Sequence, residues 1–65
     1  MPGRYEIDVK GRLGSEMLHA LSDVEPEVRR DSTRFRVEDD QPALHGLLVR
    51  LRDLGLEIEA VWRID

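Results

Sequence analysis

The sequence predicts an α+β fold, a ferredoxin-like βαββαβ sandwich in which a four-stranded antiparallel sheet of order 4-1-3-2 carries two helices on one face. Three observations lead there. Apolar residues recur at every second position in four segments and at helical spacing in two, in the order strand, helix, strand, strand, helix, strand. The segments between them are short, which favours neighbouring elements that pack directly. Pro26, which has no N–H for a ladder, falls in the second strand, and that strand is an edge in this order.

The first strand is "YEIDV", with Tyr5, Ile7 and Val9 on one side and Glu6 and Asp8 on the other. Gly11 and Gly14 mark a turn, and Ser15 suits the N-cap of a short helix, "SEMLHALSD", that buries Met17, Leu18 and Leu21. "VEPEVRRDSTRFRVED" reads as a hairpin in which Val24, Pro26, Val28, Phe35 and Val37 share a side. With Asp31 and Ser32 as turn residues, Val28 stands opposite Phe35, Glu27 opposite Arg36, and Arg29 opposite Arg34.

The second helix carries the clearest signal. Pro42 suits the first turn, with Asp40 or Gln41 as cap. Leu44, Leu47, Leu48, Leu51 and Leu54 form one stripe, and Gly55 supplies the left-handed residue that ends the helix. "LEIEAVWRI" follows as the last strand. Its alternation predicts Leu56, Ile58, Ala60, Trp62 and Ile64 inside, and Glu57, Glu59, Val61 and Arg63 outside.

At 65 residues the chain is one domain, residues 1–65, and a chain of this size buries only about 60% of its unfolded surface. It has no Cys, which removes disulfide bracing and zinc–thiolate chemistry. No stretch has the length and apolarity to span a bilayer, and "MPGRYEIDVKG" has no signal-peptide apolar run, so a cytoplasmic protein without a membrane role is expected. A net charge of −4, with both signs interspersed, points away from nucleic acid as a partner.

Chemistry finds few footholds. His19 and His45 lie on different helices, no hydroxyl stands beside a histidine in sequence, and no set of ligands converges. No catalytic residue, no metal site and no cofactor is expected. The uncovered sheet face is predicted to be a mosaic of Arg4, Glu6, Asp8, Arg34, Arg36 and their neighbours, without an aromatic platform for base stacking. Arg29 and Arg34, opposed in the expected hairpin, would either bind a small anion or pair with Glu6 or Asp8. Gly11, Gly14 and Ser15 mark a second candidate, where the first helix would offer N–H groups to an anionic metabolite.

On the second helix, Pro42, Gly46 and Val49 oppose the leucine stripe, with His45 on its shoulder. A solvated helical glycine costs roughly 1 kcal/mol against Ala. The strip is therefore either covered by another surface or a spare expense of a surface with no partner. Val61, apolar and outward on an edge strand, joins it as a candidate interface residue.

"DQPALHGLLVRLRDLGLEIEAVWRI" resembles a group of small uncharacterised proteins of high-GC actinobacteria that share a "DQxALHGLLxRxRDLGL" helix before the last strand, and "YEIDVKGRL" looks like their usual opening. The resemblance covers about the final two-fifths of the chain and implies that His45 and Gly46 belong to a shared pattern. A looser likeness is to ACT domains, βαββαβ modules that bind amino acids at dimer interfaces. "PALHGLLVRLRDLGLEI" reads like an ACT helix, although here it precedes the last strand. Together these readings point to a non-enzymatic module that associates with itself or another protein, or alternatively to an ACT-like sensor of a small molecule.

Overall fold

The computed structural model describes residues 3–64. Its elements are β1 (Arg4–Lys10), α1 (Ser15–Ala20), a single 3-10 turn (Ser22–Val24), β2 (Glu27–Val28), β3 (Ser32–Glu38), α2 (Gln41–Asp53) and β4 (Ile58–Ile64). All pairings are antiparallel, and the strands lie in the order β2-β3-β1-β4, which read from the other edge is β4-β1-β3-β2.

Period-two alternation in the central strands builds the core. Ile7, Val9 and Phe35 are fully buried on one face, and Tyr5 and Val37 pack beside them. α2 lays Leu44, Leu47 and Leu51 onto this face, with Leu48 at its margin, as the stripe requires. The α1 segment adds half-buried Met17 and wholly buried Leu21, so both helices serve the same apolar cluster. Leu18, expected inside, is only half-buried. The N-cap of α1 is Gly14, so Ser15 is the first helical residue and not its cap.

Asp40 occupies the N-cap position of α2 without a side-chain capping bond, and the helix ends in a Schellman motif. The Gly55 N–H donates to Arg52 O at 2.9 Å and the Leu56 N–H to Leu51 O at 3.0 Å, while Gly55 takes φ +79°. Leu54, expected in the stripe, is the C-cap and 41% exposed. It lies beyond the last helical turn, and the chain reversal at Gly55 delivers Leu56 to the core in its place.

The hairpin is offset from its expected register. The turn residues are Arg30 and Asp31, closed by Arg29 N–H donating to Ser32 O at 2.8 Å. Glu27 therefore stands opposite Arg34, and Val28 opposite Thr33. The cause lies in β3, whose ladder with β1 extends to Ser32 and takes that residue out of the turn. Pro26 stands just before the two-residue edge strand β2 rather than inside it.

The largest departure is in β4. Val9 pairs with Ile58, but Asp8 pairs with Ala60, so a bulge at Glu59 shifts the strand by one residue. A slip of one residue exchanges the faces of all that follow. Ala60, Trp62 and Ile64 therefore share the open face with Asp8, Glu6 and Arg4, while Val61 and Arg63 lie on the helix side opposite Ile7 and Tyr5. This reverses the expected orientation of Val61, Arg63 and the three apolar residues beyond Ile58.

Candidate functional site

On the open face, β1, β3 and β2 set carboxylates and guanidinium groups in alternation. Arg34 donates from Nε to Asp8 Oδ1 at 2.8 Å and from Nη2 to Oδ2 at 3.2 Å, and its Nη1 lies 3.3 Å from Glu6 Oε1. Arg36 donates from Nε to Glu6 Oε2 at 2.9 Å and from Nη2 to Glu27 Oε1 at 3.0 Å. Arg29 donates from Nε to Glu27 Oε2 at 3.0 Å. The result is a neutral ladder, Asp8–Arg34–Glu6–Arg36–Glu27–Arg29, that crosses three strands.

Glu6, at its centre, is 6% exposed although neither described helix covers this face. Two guanidinium groups shield it and compensate its desolvation. The bond to Asp8 first, then the charges of Asp8, Glu6 and Glu27, raise the Arg34 pKa further. Bonds to Glu6 and then Glu27 do the same for Arg36. The bonds from Arg29 and Arg36 hold Glu27 below its ordinary value. Every arginine of the ladder is thus engaged by carboxylates. The expected opposition of Arg29 and Arg34 does not occur, because Arg29 sits across from Ser32, the first residue of β3.

Beside the ladder lies Trp62, with the Arg34 guanidinium carbon 4.7 Å from its ring centroid, a cation–π contact. The open face therefore does hold an aromatic residue, on β4, and Ala60 and Ile64 flank it there. The signal for this was the run Ala60-Val61-Trp62, since three successive apolar residues cannot all fall on one side of a regular strand.

The Gly11–Ser15 turn is tied shut by its own strand neighbours. Thr33 Oγ1 donates to Gly11 O at 3.0 Å and accepts from Leu13 N–H at 3.3 Å, and Gly11 N–H donates to Asp31 O at 2.8 Å. Gly14 and Ser15 are exposed at the start of a helix of only six residues. An open cleft of about 670 Å³ lies elsewhere, between the 3-10 turn and the start of α2, and its lining includes Arg4, Arg36, Glu25 and Asp40.

Pro42, His45, Gly46 and Val49 all lie on the exposed side of α2, and a Cβ at Gly46 would meet no atom within 4 Å. His19 is exposed on α1. Among the described residues, no three or more His, Asp or Glu side chains are grouped to hold a metal ion, and no helix is long and apolar enough to cross a membrane. Arg50 joins the helical layer: it donates to Asp23 Oδ2 at 3.0 Å and to Ala20 O at 2.9 Å, and its bond lowers the Asp23 pKa.

The two sheet edges differ. β2 offers two residues, whereas β4 offers seven and pairs with β1 alone among the described residues. Its hydrogen-bonding phase follows from the flanking bonds. Lys10 N–H donates to Glu57 O on the β4 side, while Gly11 N–H and Gly3 O bond Asp31 and Asp39 on the β3 side. Even residues of β1 therefore bond to β4, which makes Asp8–Ala60 and Glu6–Trp62 the bonded pairs and turns the N–H and C=O of Val61 outward. Val61 is 42% exposed and Ile64 37%.

No curated protein and no solved structure matches the sequence. A family model matches residues 4–61, from the first residue of β1 into the middle of β4, and the chain belongs to that family, described as Domain of unknown function (DUF8691).

Proposed function

We propose that this chain is a non-enzymatic assembly module that associates with itself through the β4 edge. The observation that carries this reading is the contrast between the edges: seven residues at β4, with Val61 turning its backbone outward, against two at β2. A long strand with an open edge is a template for another strand, and proteins that stay monomeric blunt such edges. β4 carries such a device at one end, the bulge at Glu59, but beyond it sets half-exposed Val61 and Ile64 along the edge. A small domain also gains stability from association.

The remaining parts of the proposal are a ferredoxin-like assignment for the β2-β3-β1-β4 order, a cytoplasmic location in bacteria, and a partner that is protein rather than nucleic acid or membrane. The neutral ladder on the open face supports the last point, because its guanidinium groups are held by carboxylates and offer a phosphate backbone little net attraction. Sedimentation velocity tests the reading. The chain should shift from monomer to a larger species between low and high micromolar concentration, and a strict monomer throughout would refute it.

A second reading is an ACT-like metabolite sensor. The open cleft beside Arg4 and Arg36 favours it, rather than the closed turn at Gly11. A thermal-shift screen of amino acids and phosphorylated metabolites separates the two, since a ligand for the native state raises the midpoint.

A further inference from the structure

We infer that the partner at β4 is β4 of a second copy, paired antiparallel about a two-fold axis through Val61. This rests on the self-association reading above and names its geometry. Antiparallel pairing centred on Val61 sets Val61 against Val61 once, on the axis, and Ala60 against Trp62 and Glu59 against Arg63 twice each by symmetry.

Three features of β4 fit that register. The first is backbone phase: the outward N–H and C=O of Val61 exchange with their symmetry equivalents as a hydrogen-bonded pair. The second is charge: Glu59 and Arg63 carry opposite signs at positions equidistant from Val61, and the Arg63 guanidinium, which already donates to Asp39 of its own chain, has five N–H groups to divide between the two carboxylates. The third is size. On the open face the small Ala60 lies across from Trp62, whose indole packs inward against Arg34, so no two bulky side chains meet at the seam.

Other registers lose these matches. Sliding by two residues sets Trp62 against Trp62 in one direction and Glu59 against Val61 in the other. Sliding by one places the two helical layers on opposite faces of the joint sheet. The Val61 register instead produces one eight-stranded sheet, β2-β3-β1-β4-β4-β1-β3-β2, with all four helices on one side. Strand-edge contacts fall at the small end of specific interfaces, below about 1,200 Å², so micromolar rather than nanomolar affinity is expected.

The absence of Cys makes the test direct, since any disulfide in a single-thiol variant must join two chains. A hydrogen-bonded antiparallel pair has its Cα atoms about 5.5 Å apart, within the range of a disulfide. Under mild oxidation Val61→Cys should crosslink nearly completely at a concentration where Val49→Cys, exposed on α2, stays monomeric. Glu59→Arg alone and Arg63→Glu alone should each weaken association roughly tenfold or more. An equimolar mixture of those two variants should recover it, because every cross-edge pair again has opposite signs. Val61→Pro should give a folded monomer, since the lost N–H points away from β1.

If the wild-type chain associates but Val61→Cys links no faster than Val49→Cys, or the charge variants fail to recover on mixing, the register is overturned and the self-association reading stands. A wild-type chain that stays monomeric at high micromolar concentration overturns both.

Discussion

On one side of the sheet, Ile7, Val9, Phe35 and Leu51 are wholly buried, with Leu44 and Leu47 nearly so. On the other side the same two central strands hold Glu6, Asp8, Arg34 and Arg36 in a ladder that neither described helix covers. The first face is stabilised by apolar burial, which is non-directional and indifferent to pH and salt at the scale of a single contact. The second depends on bonds with fixed donors and acceptors. It responds to protonation, to ionic strength, and to the loss of any one partner. A single pair of strands thus supports two kinds of stability, and substitutions can separate them.

The widest separation comes from Phe35. It is the largest wholly buried side chain and lies at the centre of the apolar face. Phe35→Ala should cost about 3–5 kcal/mol. A 65-residue domain has a total stability of roughly 3–10 kcal/mol. Urea denaturation should find the variant largely unfolded or close to it, at every pH and salt concentration. A loss below 1 kcal/mol would mean that the ladder, and not the core, dominates.

Glu6→Gln probes the other face with little change of shape. It removes the charge that Arg34 and Arg36 share while leaving an oxygen to accept one bond. The expected loss is about 1–3 kcal/mol. Unlike the Phe35 variant, this one should narrow its gap to wild type as salt is added, because the wild-type ladder is screened. A gap unchanged by salt would show that Glu6 contributes by packing alone.

Gly46 lies in neither face and sharpens the comparison from outside. Open space surrounds its missing Cβ, so Gly46→Ala should stabilise the chain by about 1 kcal/mol through helix propensity alone. Association should be unchanged. A variant that is more stable yet no longer associates would move the interface from β4 to the Pro42–Val49 strip.

These two faces were not equally legible in the sequence. Alternation in β1 and β3, and the leucine spacing of α2, predicted nearly every core residue, because burial leaves a periodic trace. Leu54 was the exception: periodicity does not record where Gly55 reverses the chain. The acids and bases of the open face were also predicted to lie there. Arg34 pairs with Glu6 and Asp8, one of the two alternatives the sequence left open; the offset of the hairpin was not legible, since it is fixed by where the β1–β3 ladder ends at Ser32. The bulge at Glu59 left one trace, the apolar Val61 in a position expected to be polar. Read as an isolated surface residue it suggested an interface, but only the pairing of Asp8 with Ala60 reveals that Trp62 shares the open face.

The smallest effect is expected at the rim of the ladder. Arg29 and then Arg36 hold the Glu27 carboxyl below its ordinary value. A carboxylate whose pKa is depressed on folding contributes stability above its unfolded value, near 4, and loses that contribution as pH falls through the folded value. Asp23 behaves in the same way through its bond to Arg50, so wild type should weaken progressively below about pH 4. Glu27→Gln should flatten part of that acid slope and leave the part due to Asp23. The difference should be measurable in melting temperature but small, because Glu27 and Arg29 are both well exposed to solvent. If the slope is unchanged in Glu27→Gln, the ladder ends at Arg36, and β2 is held to the sheet by its backbone alone.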